Sequence, residues 1–199
     1  MFPLGRGIFP GAMLTLRVFE PRYLQMIDLC VRRRIGFGVV LIERGSEVGG
    51  GDVRFDVGVA VSIRKVAPLG DGHLAVAARG ESRIRVEEWL DDAPYPQARV
   101  RYLADPTGQV VDSGSRRHLL QVFRRGVAMF SEMGVETAAI DPLPDGTLAA
   151  AYRALDIFPV ADLDRQQILE TDDPLRRIER SIAALESVNR LVEARLAGR

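Results

Sequence analysis

Apolar and polar positions follow two rhythms along this chain. Up to about residue 105 the period is mostly two. Leu14, Leu16 and Val18 alternate with Thr15 and Arg17, which predicts a half-buried strand. Phe37-Gly38-Val39-Val40-Leu41-Ile42 is a continuous apolar run between Gly36 and Gly45, as in a strand covered on both faces. Val57 to Val66, Leu74 to Ala78, Arg83 to Trp89 and Gln97 to Leu103 predict further strands at the spacing of an all-β barrel or sandwich. Turn signals separate them: Gly45-Ser46, Gly49-Gly50-Gly51-Asp52, Gly70-Asp71-Gly72 and Asp91-Asp92-Ala93-Pro94. One helix interrupts this half. Pro21 suits its first turn, and Tyr23, Met26, Ile27, Cys30 and Val31 share one face. Arg32 to Arg34 complement its dipole, and Gly36 is expected to end it.

Beyond Asp105-Pro106-Thr107-Gly108 the period lengthens to three or four. Leu119, Val122, Phe123, Val127 and Phe130 form one stripe. Leu148, Tyr152 and Leu155 predict a second helix that stops before Pro159, and Leu163 to Leu169 a short third. Asp173 as cap and Pro174 as first helical residue open a long last helix, in which Leu175, Ile178, Ile182, Leu185, Val188 and Val192 recur at a spacing of three or four. Asn189 falls within that stripe. Either the bundle satisfies the stripe, or part of it pairs with a second copy as a homodimer.

Composition narrows the chemistry. The chain has 199 residues, 27 basic and 27 acidic, with a formal net charge of zero. Such a balance argues against a generic nucleic-acid or membrane-surface binder. Cys30 is the single cysteine, which excludes an internal disulfide and a Cys-rich zinc site and fits a reducing cytoplasm. No apolar run approaches the ~20 residues of a membrane span, and the start carries no signal-peptide pattern. The expected location is cytoplasmic, with no membrane partner. Lys65 is the only lysine. A P-loop, a Ser–Lys hydrolase and a Schiff-base enzyme each require a lysine, and Ile63-Arg64-Lys65-Val66 fits none of them. His73 and His118 are the two histidines, with no dense acidic or Cys cluster around them. No metal, no cofactor and no catalytic residue is expected, and the protein is read as not an enzyme.

Phe2-Pro3-Leu4, Pro10-Gly11 and Phe19-Glu20-Pro21-Arg22-Tyr23 resemble the opening of the Lon protease N-terminal, substrate-binding domain. Phe37 to Val40, Gly58-Val59, Asp71-Gly72, Gly80 to Val86, Tyr95-Pro96 and Ala98 to Val100 resemble its later strands. Gln166 to Glu170 and Asp173-Pro174 resemble its helical extension. The resemblance implies an α+β fold. A PUA-like β-pseudobarrel with one inserted helix would span residues 1–107, and a C-terminal helical bundle with a long last helix would span 108–199. It further implies recognition of unfolded or partner polypeptides, as an adaptor in protein quality control, with a protease or chaperone as partner. A complete Lon adds an AAA+ module and a peptidase. This sequence holds no G-x-x-x-x-G-K-[ST], so a stand-alone binding module is expected.

Three groups are candidate sites. Ser46, Glu47, Val48, Gly49 and Gly50 sit at a hairpin tip and are the first candidate for contacting polypeptide. In Phe19, Glu20, Pro21, Arg22 and Tyr23 a structural role is favoured, with Pro21 opening the helix, Tyr23 in the core and Arg22 paired. Arg83, Arg85, Arg99 and Arg101 would line one outer strand face if their strands pair, which is the basis of an alternative nucleic-acid reading. Cross-strand ion pairs with Glu81 and Glu87 compete with it.

Overall fold

The computed structural model describes residues 1–105, 113–136 and 142–198. They fall into two compact units, Met1–Asp105 and Pro106–Arg199. The class is α+β.

The first unit holds β1 (Phe2–Leu4), β2 (Met13–Val18), α1 (Pro21–Arg33), β3 (Phe37–Arg44), β4 (Val53–Pro68), β5 (Leu74–Leu90) and β6 (Gln97–Leu103). The sheet runs β1-β3-β4-β5-β2, with β6 also on β5; β1 is parallel to β3 and every other pair is antiparallel. The alternation read from Leu14, Leu16 and Val18 puts those three residues inward, while Met13, Thr15 and Arg17 are exposed.

Two sequence expectations change. Leu74–Ala78 and Arg83–Trp89 are one 17-residue strand, not two. Gly80 lies between them because the chain at Phe9 crosses there: a Cβ on Gly80 would sit 2.5 Å from the Phe9 carbonyl oxygen. Gly11 N–H donates to Gly80 O and Gly80 N–H to Ala12 O, at 2.8 and 2.9 Å. Before this crossing one edge of β5 takes β2, and after it the same edge takes β6. The second change is at the end of α1. Arg34, not Gly36, adopts the left-handed conformation (φ 55°) that ends the helix, with Ile35 N–H returning to Cys30 O at 3.0 Å. Gly36 instead permits close approach of β4, since a Cβ there would lie 2.0 Å from Val61 O. Tyr23, Met26, Ile27 and Cys30 of α1 are buried, whereas Val31 is exposed. Tyr23 stacks on Phe2 at 4.3 Å, so α1 closes over β1.

The second unit holds α2 (Ser113–Glu132), α3 (Thr147–Ile157), α4 (Asp162–Glu170) and α5 (Pro174–Ala197). The Asp173 carboxylate caps α5 through the N–H groups of Leu175 and Arg176. The apolar face of α5 packs on α2, α3 and α4 from Ile178 onward, whereas Leu175 in the first turn is exposed. Phe158 meets Phe123 and Phe130 edge-on at 5.6 and 5.3 Å. Asn189 donates to Val122 O of α2 at 2.9 Å, so this polar residue in the stripe joins α5 to α2 within the chain. No helix among the described residues is long and apolar enough to cross a membrane.

Candidate functional site

The two ends of the sheet order, β1 and β2, line one depression of about 380 Å³. The size falls within the range of roughly 300–1,000 Å³ usual for ligand sites. Phe2 and Leu4 line it from β1; Leu14, Leu16 and Val18 line it from β2. Phe19, Glu20 and Tyr23 close one end, and Glu47 and Val48 reach it from the β3–β4 tip. The F-E-P-R-Y segment and the hairpin tip thus meet at one place. Along the chain 22 residues separate them.

Each side chain there is held by local chemistry. Pro21 occupies the first turn of α1, after Glu20 as the cap residue. Arg22 pairs with Glu20 at 3.0 Å and lies over the Tyr23 ring at 4.6 Å. Burial pushes the Tyr23 hydroxyl up to about 12, so it stays neutral. Phe19 is 45% exposed and Val48 55%, both at the depression.

The tip has ordered stems. Glu47 accepts from the backbone N–H of Gly5, and Ser46 Oγ accepts from Val48 N–H at 3.4 Å. Gly49, Gly50 and Gly51 all take positive φ (98°, 83° and 76°), which a β-branched or bulky residue would adopt only with strain. Gly50 also lies close to Arg22; a Cβ would stand 3.2 Å from its Nη1. Below the tip, Asp52 pairs with Arg54, which also reaches Asp92 at 3.2 Å and covers the Trp89 ring at 5.0 Å. Trp89 Nε1 donates to Asp56 at 2.9 Å. Burial alone would raise the Asp52 carboxyl, but the Arg54 hydrogen bonds, its own backbone N–H and the charges of Arg54 and Arg22 hold it below its ordinary range. This stem was missed at the sequence level. The available signal was Asp52-x-Arg54, two positions of like parity entering a strand.

The four arginines do not form one outer surface. Arg83 is 2% exposed and pairs with Asp105 at 3.0 Å. Arg85 is half-buried, and it lies opposite Arg101. Arg99 contacts Glu88, and Arg101 pairs with Glu87 at 3.2 Å. A register shift between Val86 and Glu88 brings Arg99 opposite Glu88 and breaks the parity assumed from the sequence. Glu81 pairs with Arg64 instead, at 2.7 Å. Cys30 is buried, and burial pushes its thiol up. Among the described residues no group of three His, Cys, Asp or Glu side chains is placed to hold a metal.

Comparison with known families matches residues 1–187 to the ATP-dependent protease La (LON) substrate-binding domain. The chain belongs to the Lon substrate-binding domain family. Lon protease 2 of Thermus thermophilus is 28% identical over 193 residues, covering 95% of this chain and 24% of that protein. Lon protease 2 of Myxococcus xanthus is 28% identical over 197 residues, covering 96% and 23%. The chain therefore spans about a quarter of the length of these Lon proteases. Among solved structures, a Lon N-terminal domain protein from Xanthomonas campestris superposes with a TM-score of 0.71 at 26% identity, covering 92% of this chain and 95% of that one. The N-terminal domain of the Mycobacterium avium complex Lon protease shares the fold, with a TM-score of 0.63 at 16% identity and coverage of 92% and 96%.

Proposed function

We propose that this Lon-type domain is a non-catalytic, cytoplasmic polypeptide-binding module that takes exposed apolar segments of unfolded or partner proteins into the β1–β2 depression. It would act as an adaptor in protein quality control, beside a protease or chaperone. The observation that carries this reading is the convergence of β1, β2, Phe19 and Val48 on one apolar depression whose rim residues stay exposed. Burial of apolar client surface there supplies about 25 cal/mol per Å² before ordering costs. The lysine chemistry of the Lon engines has no counterpart in these 199 residues, where Lys65 is the only lysine and lies exposed on β4.

Titration of the full chain with a reduced, alkylated, unfolded protein should give saturable binding. Phe19→Asp and Val48→Asp, both at exposed positions, should each weaken it about tenfold. A second apolar depression crosses β3 to β6 and is rimmed by Ile35 and Tyr102. Tyr102→Lys should leave binding unchanged. Absence of binding at tens of micromolar, or loss through Tyr102→Lys alone, would overturn the reading.

A further inference from the structure

The β1–β2 depression is bordered by a strand edge whose two faces differ in chemistry. Among the described residues β2 hydrogen-bonds to one strand, β5, and is terminal in the sheet order. Its outer edge therefore presents backbone N–H and C=O groups along Met13–Val18. On the inward face lie Leu14, Leu16 and Val18, with Phe2 and Leu4 across the depression, whose rim also includes Arg6, Thr15 and Arg17. On the outward face lie Met13, Thr15 and Arg17, all exposed. Cross-strand register extends that outward face. Arg79 of β5 lies opposite Met13, and Lys65 of β4 lies opposite Ala77, which is itself opposite Thr15.

This outward face is cationic. Arg79 and Lys65 are exposed and have no carboxylate in ion-pair distance among the described residues, and Arg17 reaches Nδ1 of His73. The acids bordering the depression are already engaged: Glu20 by Arg22, Glu47 by the Gly5 N–H. A segment aligned with β2 would thus meet a mainly apolar surface on one side, with Arg17 at its rim, and the exposed cations Arg79 and Lys65 on the other.

We propose that an extended polypeptide segment in which apolar residues alternate with acidic ones binds as an added strand along the free edge of β2. This rests on the polypeptide-binding reading above and specifies its substrate class. Main-chain hydrogen bonds to the edge supply affinity that does not depend on sequence. The apolar residues of the segment would enter the depression beside Leu14, Leu16 and Val18. Its acidic residues would face Arg17, Arg79 and Lys65 as cross-strand charge pairs. Six residues of β2 span about 20 Å, enough for an added strand of similar length.

The test uses the full chain and a blocked, fluorescent peptide of about ten residues alternating valine and glutamate. Strand addition uses the N–H groups of alternate peptide residues. One N-methylated version, carrying methyls on every valine or on every glutamate, should therefore lose at least tenfold in affinity, while the other stays within threefold. The valine–lysine peptide should bind at least tenfold more weakly than the valine–glutamate one. The exposed double variant Arg17→Glu/Arg79→Glu should reverse that preference. Equal sensitivity of both N-methyl versions, or none, would overturn strand addition. Unfolded protein binding while the valine–glutamate peptide does not would also overturn this proposal alone. Failure of both ligands would instead remove the polypeptide-binding reading itself.

Discussion

The two units place their arginines differently. In the sheet unit, guanidiniums meet carboxylates: Arg54 with Asp52 and Asp92, Arg64 with Glu81, Arg83 with Asp105, Arg101 with Glu87. In the helical unit the two buried arginines meet backbone carbonyls. Arg165 donates to the carbonyls of Leu155, Phe158 and Val160, and Arg177 to those of Thr171 and Asp172 and to the Tyr152 hydroxyl. The reason is where acceptors are left over. A helix ends with four carbonyls that have no partner within it, whereas a sheet consumes its carbonyls in the ladder. A bundle can therefore bury a guanidinium against helix-end carbonyls; Arg165 also reaches Asp156 at 3.8 Å. A sheet must bring the opposite charge.

The contrast can be tested most severely through glycine. A Cβ on Gly58 of β4 would stand 2.1 Å from the Val39 carbonyl oxygen, a backbone atom fixed by the ladder. A Cβ on Gly126 of α2 would meet side-chain atoms, the Phe158 ring at 2.5 Å and Asn189 Oδ1 at 2.6 Å. Gly58→Ala should cost about 3 kcal/mol or more in urea denaturation, and Gly126→Ala roughly 1–2 kcal/mol. The reverse order would show that the sheet yields more readily than the bundle.

Next in size is Arg165→Ala, which strips three carbonyls of their donor and opens a cavity. A loss of about 2–4 kcal/mol in far-UV-monitored unfolding is expected. A loss under 1 kcal/mol would mean that water replaces the guanidinium and that carbonyl anchoring adds little.

Smaller again is the stem below the hairpin tip. Arg54→Met should lower stability by about 1–3 kcal/mol at neutral pH. Asp52 titrates below its ordinary range in the folded state, so its contribution is present above the unfolded-state carboxylate value and disappears as pH falls through the folded one. The gap between wild type and Arg54→Met should therefore narrow in acid. A gap that widens in acid would break the assignment of Asp52 as the partner that matters.

The smallest effect belongs to the strand-face pairs. Arg101 and Glu87 are both about half exposed in their side chains. Arg101→Ser should change stability by no more than about 0.5 kcal/mol. Arg99→Glu/Arg101→Glu should leave RNA binding undetectable in a filter assay, as in the wild type. Salt-sensitive RNA binding by the wild type, lost in this double variant, would revive the nucleic-acid alternative.

Much of the fold was legible because it depends on local period. The β2 alternation, the apolar run of β3, the Pro21 and Pro174 helix starts and the buried stripe of α5 each follow from neighbours within a turn or a strand. The division of Leu74–Ala78 from Arg83–Trp89 was misleading: Gly80 lies within one strand, where its missing Cβ admits the crossing of residues 9–12. Asn189 showed its polarity but not its partner, Val122, which lies 67 residues away.

The sequence by itself determined the α+β class and the two periodicities. It also determined that Lys65 is the only lysine in these 199 residues, since side-chain inventory and period are properties of the chain alone. Only the tertiary structure brought the residues of the candidate site together. The sheet order places β1 and β2 at opposite ends, the shared edge of β5 divides between β2 and β6, and the hairpin tip folds back to Glu20 and Tyr23. One register shift after Val86 then joined Arg99 to Glu88, an ion pair in place of the alternative four-arginine face. Pairing between distant strands is fixed by which apolar faces can be buried together, and no local window of sequence contains both partners.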